Sequence, residues 1–361
     1  MMKAAVCYEF GKPLVVEEID IDPPQKGEVK VRIAATAICH SDIHAIRGDR
    51  PINVPLVPGH ESAGYVEEVG ESVESVKPGD TVVVSLLFSC GQCVYCCTGR
   101  PNLCETKRPL DTESRLRNKQ GQRLAHFAHT ASLAEYAIVD QSQVVKIPEE
   151  MPLDRASLLA CGFITGFGAV VNYARVKPLS SVVVIGLGGV GLSSVQGALI
   201  SGAYPIIAVD MLDSKLESAK TFGATHTING GQGDAVEAVR QLTSGRGADY
   251  VFVAVGSSAA IQQGFSMSCN GGTTVVLGLP PLKDTLTISP IDLVYKAKVL
   301  EGCNMGATRL SVDIPKLVDL YLAGRLKLDE LITNRYPLEQ VNEAIESVER
   351  GEALRNVIVF E

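Results

Sequence analysis

The sequence has no excess of basic charge: 33 lysines and arginines stand against 41 acidic residues, a formal net charge of −8. Bulk charge therefore offers nothing to a polyanion, and nucleic acid is excluded as the expected partner. Also missing is a basic, apolar, small-residue leader, because "MMKAAVCYEF" reaches Glu9 before an apolar core of such a leader can form. A cytoplasmic location is expected. No membrane span is expected: Leu179 to Val209 carries no charge and is long enough to cross a bilayer, but its glycines, serines and Pro205 fit a buried strand, helix and strand. There is no internal repeat and no low-complexity segment.

What is present begins with size. At 361 residues the chain exceeds one typical core and suggests two domains, and 46% apolar with 20% charged residues is ordinary for a globular protein. Ten cysteines without an export signal point to metal or redox chemistry more than to a disulfide framework.

Four of these cysteines fall in "CGQCVYCCTGRPNLC". Cys90, Cys93, Cys96 and Cys104 follow C-x2-C-x2-C-x7-C, a set of short loops able to bring four thiolates round one ion. Sulfur-only tetrahedral ligation fits zinc or iron–sulfur chemistry. Because the protein fills all four positions, the metal would fasten a loop with little core of its own and would bind no substrate. Cys97 is a fifth thiol beside Cys96, and the spacing leaves it open as the ligand.

From Ser181 the chain reads "SVVVIGLGGVGLSSVQGALISGAYPIIAVD". An apolar run leads into Gly186-x-Gly188-x-x-Gly191, then a helix-like segment, then a second apolar run ending in Asp210. This is a dinucleotide fingerprint in its required context of strand, turn, helix and strand. Gly186 makes the turn, Gly188 lets the backbone approach pyrophosphate, and Gly191 lets helix pack closely on strand. Asp210, 19 residues past Gly191, suits the adenosine ribose hydroxyls and repels a 2′-phosphate, which favours NAD over NADP. The alternation continues: "DSKLESAKTFGA" and "DAVEAVRQLT" read as helices, "DYVFVAV" and "GGTTVVLG" as strands, so residues 163–304 form a doubly wound parallel sheet. Residues 1–162 instead carry short β-rich runs such as "EVKVRIAA" and "DTVVVSLL" broken by Gly and Pro, an irregular barrel-like arrangement with a lobe at about 88–106. Residues 305–361 hold helix-like segments and a final strand, "NVIVF", and are assigned to the first domain.

The hexapeptide "CHSDIH", residues 39–44, packs a thiol, two imidazoles, a hydroxyl and a carboxylate together. Cys39, "GHE" at 59–61, the four-cysteine lobe, "CGFITGFG" at 161–168 and GLGGVG occur in the same order as in the zinc-dependent medium-chain alcohol dehydrogenases, and over essentially the whole chain the sequence resembles that family. The resemblance implies a GroES-like catalytic domain beside the Rossmann domain. It implies a catalytic zinc held by Cys39, His60 and Cys161 with a fourth position for water or substrate oxygen, and a structural zinc in the lobe. Two thiolates and an imidazole leave such a site roughly neutral, while zinc lowers the pKa of bound water from about 15.7 to near 7 and acts similarly on an alcohol.

By the same resemblance Glu61 is a transient or neighbouring ligand, and Asp42 orients His60 by accepting its other ring proton. Ser41 takes the alcohol proton, and His44 passes it to solvent through a cofactor ribose hydroxyl. His40 and Arg355 lie where the family places basic residues on pyrophosphate, with Gly189 and Val190 in the turn beside it. Val190 and Thr165 line the nicotinamide, Lys215 steadies the adenosine ribose, and Phe88, Leu279 and Ile46 line the substrate pocket. His126, His129 and His226 lack such company and are expected to be structural.

The expected function is interconversion of a small-molecule alcohol with its aldehyde or ketone by hydride transfer to NAD, in a homo-oligomer, dimer or tetramer. Two alternatives lie within the class. His40 also occurs in glutathione-dependent formaldehyde dehydrogenases, and "CVYCCTGRPNLC", "GRLKLDELIT" and "CHSDIH" are similar to nicotinoprotein alcohol dehydrogenases, which retain NAD through turnover. A conjugate reductase of unsaturated aldehydes fits less well, because Ser41 and His44 suit alcohol deprotonation. A noncatalytic, crystallin-like nucleotide-binding protein would have lost the zinc ligands, and this chain keeps all three.

Overall fold

The computed structural model describes residues 1–49 and 51–361. Two compact units divide the chain: Met1–Gly162 with Arg309–Glu361, and Phe163–Thr308.

The first unit is built on two sheets. In the larger, the strands run in the order Val144–Lys146, Thr81–Ser85, Glu61–Val69, Glu28–Ala37, Arg355–Val359 and Ile332–Tyr336, with Tyr136–Asp140 also paired to Glu28–Ala37. The smaller joins Met2–Val6, Val15–Ile21, Leu116–Arg117, Arg123–His126 and Leu56–Val57. Alternation in these strands sends Val29, Val31 and Ile33 into one core with Val66, Val82, Val84 and Val139. A second cluster closes around Ile38, Ile43, Ile46 and Leu56 with Val341, Ile345 and Ile358, so the helix at 40–47 is anchored by the C-terminal segment.

The second unit is a six-stranded parallel sheet in the spatial order His226–Asn229, Ile206–Asp210, Val182–Ile185, Ala248–Val253, Ser268–Val276 and Val299–Gly302. Numbered along the chain, that order is 3-2-1-4-5-6, the doubly wound Rossmann arrangement. The central strands are continuous Val/Ile runs with every residue of Val182–Ile185 buried, as expected for a sheet covered on both faces. Strand order reverses between Val182–Ile185 and Ala248–Val253, the position where such sheets leave a crevice at their carboxyl ends.

Candidate active site

The site in the first unit starts from one buried carboxylate. The chain is extended at Cys39 and enters the helix His40–Arg47, where the Asp42 side chain reaches back to accept the Cys39 N–H at 3.0 Å. The other Asp42 oxygen accepts the Gly59 N–H at 2.8 Å and lies 2.9 Å from Nδ1 of His60. Gly59 has φ +98, and a Cβ there would lie 2.3 Å from the Leu133 nitrogen, so only glycine fits the turn before His60. With Nδ1 committed to Asp42, the His60 ring keeps Nε2 for a ligand bond. Phe127 meets the ring edge-on with centroids 5.5 Å apart.

Glu61 opens the next strand and is fully buried. Its carboxylate accepts the Gly162 N–H at 3.0 Å and pairs with the guanidinium of Arg355. Cys161 precedes Gly162, so this bond ties a third segment to the site. One donor atom each from Cys39, His60, Glu61 and Cys161 lies within 4.8 Å of all the others, and all four residues are buried.

The electrostatics suit a cation. Hydrogen bonding from Cys161, with the charges of His60 and Arg355, holds the Cys39 thiol well below its usual range. That same bond, reinforced by burial, pushes Cys161 well above it. The two sulfurs thus differ in acidity, and a bound metal ion would favour the thiolate form of both. Burial opposes a charged His60, yet Asp42 and Cys39 outweigh it and raise the imidazole well above the usual value. Burial pushes the Glu61 carboxyl up to about 8 against the opposing pull of Arg355. Two sulfurs and an imidazole, with a carboxylate paired to Arg355 beside them, form a donor set that fits zinc.

In the lobe, Cys90, Cys93, Cys96 and Cys104 also lie within 4.8 Å of one another. Backbone N–H groups point at the sulfurs: Cys93 to Cys90 at 3.3 Å, Cys96 to Cys93 at 3.5 Å, and Cys90 to Cys104 at 3.4 Å. These bonds stabilise thiolates, and the sulfur of Cys90, helped first by Thr106, is lowered to about 6. The short helices Val94–Cys97 and Pro101–Leu103 bury none of their residues, so apolar packing does not hold the lobe. Cys97 is exposed, faces the Gly91 carbonyl at 3.7 Å and stands outside the cluster.

In the second unit, Gly186 has φ +87, and a Cβ on Gly191 would lie 1.8 Å from the Gly186 carbonyl oxygen. A Cβ on Gly188 would meet nothing within 4 Å, so that face of the turn is open. The helix Gly189–Ile200 starts there without a side-chain cap, leaving its first N–H groups available to an anion. Asp210 accepts the Leu187 N–H at 2.7 Å and the Leu212 N–H at 3.1 Å, and so ties the glycine turn to the end of its own strand.

Residues 25–149 match the family described as "Alcohol dehydrogenase GroES-like domain", and residues 189–323 the family described as "Zinc-binding dehydrogenase". The chain is 37% identical over 372 residues to Alcohol dehydrogenase 1 of Pisum sativum, covering 99% of this chain and 97% of that protein. Among solved structures it is similar to an alcohol dehydrogenase zinc-binding domain protein from Burkholderia ambifaria, with TM-score 0.96, 36% identity, and 100% and 99% of the two chains covered. It is also similar to benzyl alcohol dehydrogenase from Acinetobacter calcoaceticus, with TM-score 0.93, 33% identity, and again 100% and 99% covered. The chain belongs to the zinc-dependent medium-chain alcohol dehydrogenase family. It is an enzyme, an alcohol/aldehyde oxidoreductase acting on small molecules, with the GroES-like and Rossmann folds of that family. No helix among the described residues is long and apolar enough to cross a membrane.

Within this family member the remaining expected residues are distributed as follows. Ser41 is half-buried in the first turn of its helix, and His40 beside it is exposed. His44 is partly exposed, with Nδ1 2.8 Å from Asp49, a partner that sequence reasoning missed. Arg355, expected on pyrophosphate, is buried against Glu61. Thr165 is buried and its hydroxyl meets the Met305 sulfur at 3.5 Å. The Val190 carbonyl packs so closely on Gly166 that a Cβ there would lie 2.0 Å away, a contact foreshadowed only by the glycines of "CGFITGFG". Lys215 is buried, and that burial lowers its pKa while Asp210 partly offsets the shift. Ile46 and Phe88 are buried, the latter beneath the Arg108 guanidinium at 5.0 Å, whereas Leu279 is exposed.

Proposed function

We propose that the chain is an NAD-dependent enzyme that oxidises primary or secondary alcohols to aldehydes or ketones and runs the reverse reduction, with zinc at Cys39, His60 and Cys161 and a second zinc in the four-cysteine lobe. The convergence of those three buried ligands, with Asp42 fixing the His60 tautomer, carries the reading. When bound, zinc supplies a Lewis acid for the alcohol oxygen and NAD supplies the hydride acceptor. Ser41 takes the hydroxyl proton, and His44, steadied by Asp49, delivers it toward water. Glu61 stays on Arg355 and the Gly162 N–H, within reach of the same metal position as an outer or transient ligand. Asp210 faces the adenosine ribose and excludes a 2′-phosphate by charge, while Lys215 steadies that ribose, and His40 and the open Gly188–Gly191 turn receive pyrophosphate.

We assign the working enzyme to the cytoplasm as a homo-oligomer, dimer or tetramer. Supporting assembly, the sheet ends on the short edge strand Val299–Gly302, and Ile291, Val294, Tyr295 and Val299 near it are exposed apolar side chains.

The deciding experiment combines metal analysis with a screen of alcohols against added NAD or NADP, followed by NADH absorbance. Zinc at both sites and alcohol-dependent NADH formation with a preference for NAD are expected. Zinc-loaded protein that reduces no NAD with any alcohol would refute the reading. Nucleotide that survives gel filtration, with turnover only on an artificial electron acceptor, would instead assign the nicotinoprotein mode. Formaldehyde oxidation that needs glutathione would assign the glutathione-dependent one.

A further inference from the structure

The parallel sheet has a second feature at the end opposite the Gly186–Gly191 turn. That turn follows the carboxyl end of Val182–Ile185, whereas Arg246, Ser268–Asn270 and Lys296–Lys298 lie at the amino ends of the fourth, fifth and sixth strands. There a cavity of about 510 Å³ opens, lined by Arg240, Arg246, Lys296 and Lys298 with Ser268 and Asn270. No carboxylate is among its lining residues. Four cations converging on one concavity are a local exception in a chain of formal net charge −8.

Three of these cations already have carboxylate partners outside the lining. Arg246 meets Asp249 at 3.0 Å, Lys296 meets Asp292 at 2.8 Å, and Arg240 stands 3.9 Å from Glu237. Lys298 differs. It is 9% exposed, and its Nζ donates to the Phe265 carbonyl at 2.8 Å and lies 5.2 Å from the centre of the Phe265 ring. No carboxylate lies within 4.0 Å of it among the described residues. An ammonium has three donors, and burying one with a single hydrogen bond and no counter-ion is unfavourable. Burial accordingly lowers the Lys298 pKa, with Lys296 and Arg240 adding to the effect and Asp292 opposing it. An anion in the cavity would supply Lys298 with the missing acceptor and counter-charge.

Shape narrows the ligand. An extended polyanion is read by a long basic stripe, whereas this is one pocket of small-molecule size. Two ammonium and two guanidinium groups suit a phosphate dianion, which accepts several charge-assisted bonds at once. The volume exceeds what a phosphate group fills and leaves polar space beside Ser268 and Asn270 for hydroxyl groups. We infer that this cavity binds a small phosphomonoester, its dianion held by Lys298, Lys296, Arg246 and Arg240 and its organic part beside Ser268 and Asn270. The site is distinct from the nucleotide turn and does not depend on the proposed chemistry, so it offers the enzyme a place for an effector.

The test uses the full chain saturated with NADH, so that the glycine turn is filled, and titrates it calorimetrically with inorganic phosphate, glycerol 3-phosphate and glucose 6-phosphate. Saturable binding of at least one ester is expected, weakened about tenfold or more by Lys298→Met and by Arg246→Gln. Arg246 is mostly exposed at the surface, so its variant decides the matter should the Lys298 variant fail to fold. No saturable heat from any of the three compounds, or ester binding unchanged in the variants, would overturn the site. Binding of inorganic phosphate with both esters rejected would overturn the phosphomonoester assignment.

Discussion

Asp42 and His60 are joined at 2.9 Å, and the carboxylate that holds the imidazole also caps the helix behind Cys39 and takes the Gly59 N–H. One buried side chain therefore sets the spacing of two proposed metal ligands. Asp42→Asn keeps the volume but removes the negative charge and one acceptor oxygen. Zinc affinity at Cys39, His60 and Cys161 should fall about 10- to 100-fold. Chelator competition followed by metal analysis measures it, and wild-type zinc retention would show that His60 is positioned without Asp42.

Ser41 stands one turn before His44 on the same helix, so proton transfer should pass from the first to the second. Ser41→Ala should lower turnover about 10²- to 10⁴-fold with zinc retained. His44→Gln should cost less, because His44 is nearer solvent and added imidazole can replace it. Turnover against pH, with zinc content checked in each variant, tests the path. Near-wild-type rates in Ser41→Ala would mean that protons leave by another route.

Neither short helix of the lobe buries a residue, so the proposed lobe zinc should supply much of its stability. Cys93→Ser should lower the melting temperature and soluble yield, while folded protein keeps zinc at Cys39, His60 and Cys161. Unchanged melting with full loss of lobe zinc would remove the structural assignment.

His126, which is not among the proposed ligands, offers a pH test of stability. Its Nε2 accepts the Arg115 N–H at 3.1 Å, and burial, aided by the Arg115 charge, lowers its pKa to about 3. The folded chain thus refuses a proton that the unfolded chain takes up below about pH 6.5. Stability from this group is complete above that pH and declines as pH falls toward 3. Between about pH 6.5 and pH 5 the loss should approach about 2 kcal/mol. Denaturant unfolding across this range should show a shallower acid decline in His126→Gln, and identical slopes would place the proton elsewhere.

Much of the second unit was legible because its signals are local. Continuous Val/Ile runs, the glycine turn and Asp210 lie within one stretch, and apolar periodicity reports strand and helix directly. The Glu61–Arg355 pair was not legible, since 294 positions separate the partners and either residue alone is compatible with a solvated surface. The family resemblance alone pointed Arg355 toward pyrophosphate, and it carries no information about a buried carboxylate partner. Cys97 illustrates the reverse limit. Neighbouring residues on a helix point about 100° apart, so one of the two thiols must face away, and only the fold of the lobe decides that it is Cys97.

The first unit is completed by a strand from the far end of the chain, with consequences for biosynthesis. Arg355–Val359 is an interior strand between Glu28–Ala37 and Ile332–Tyr336, and it brings the guanidinium that holds Glu61. A nascent polypeptide that has emerged as far as residue 308 already contains the whole parallel sheet, while the unit begun earlier still lacks an inner strand and the partner of a buried carboxylate. The second unit therefore has its whole sheet in hand by residue 308, whereas the first can neither close its larger sheet nor pair Glu61 until Arg355–Val359 has been made.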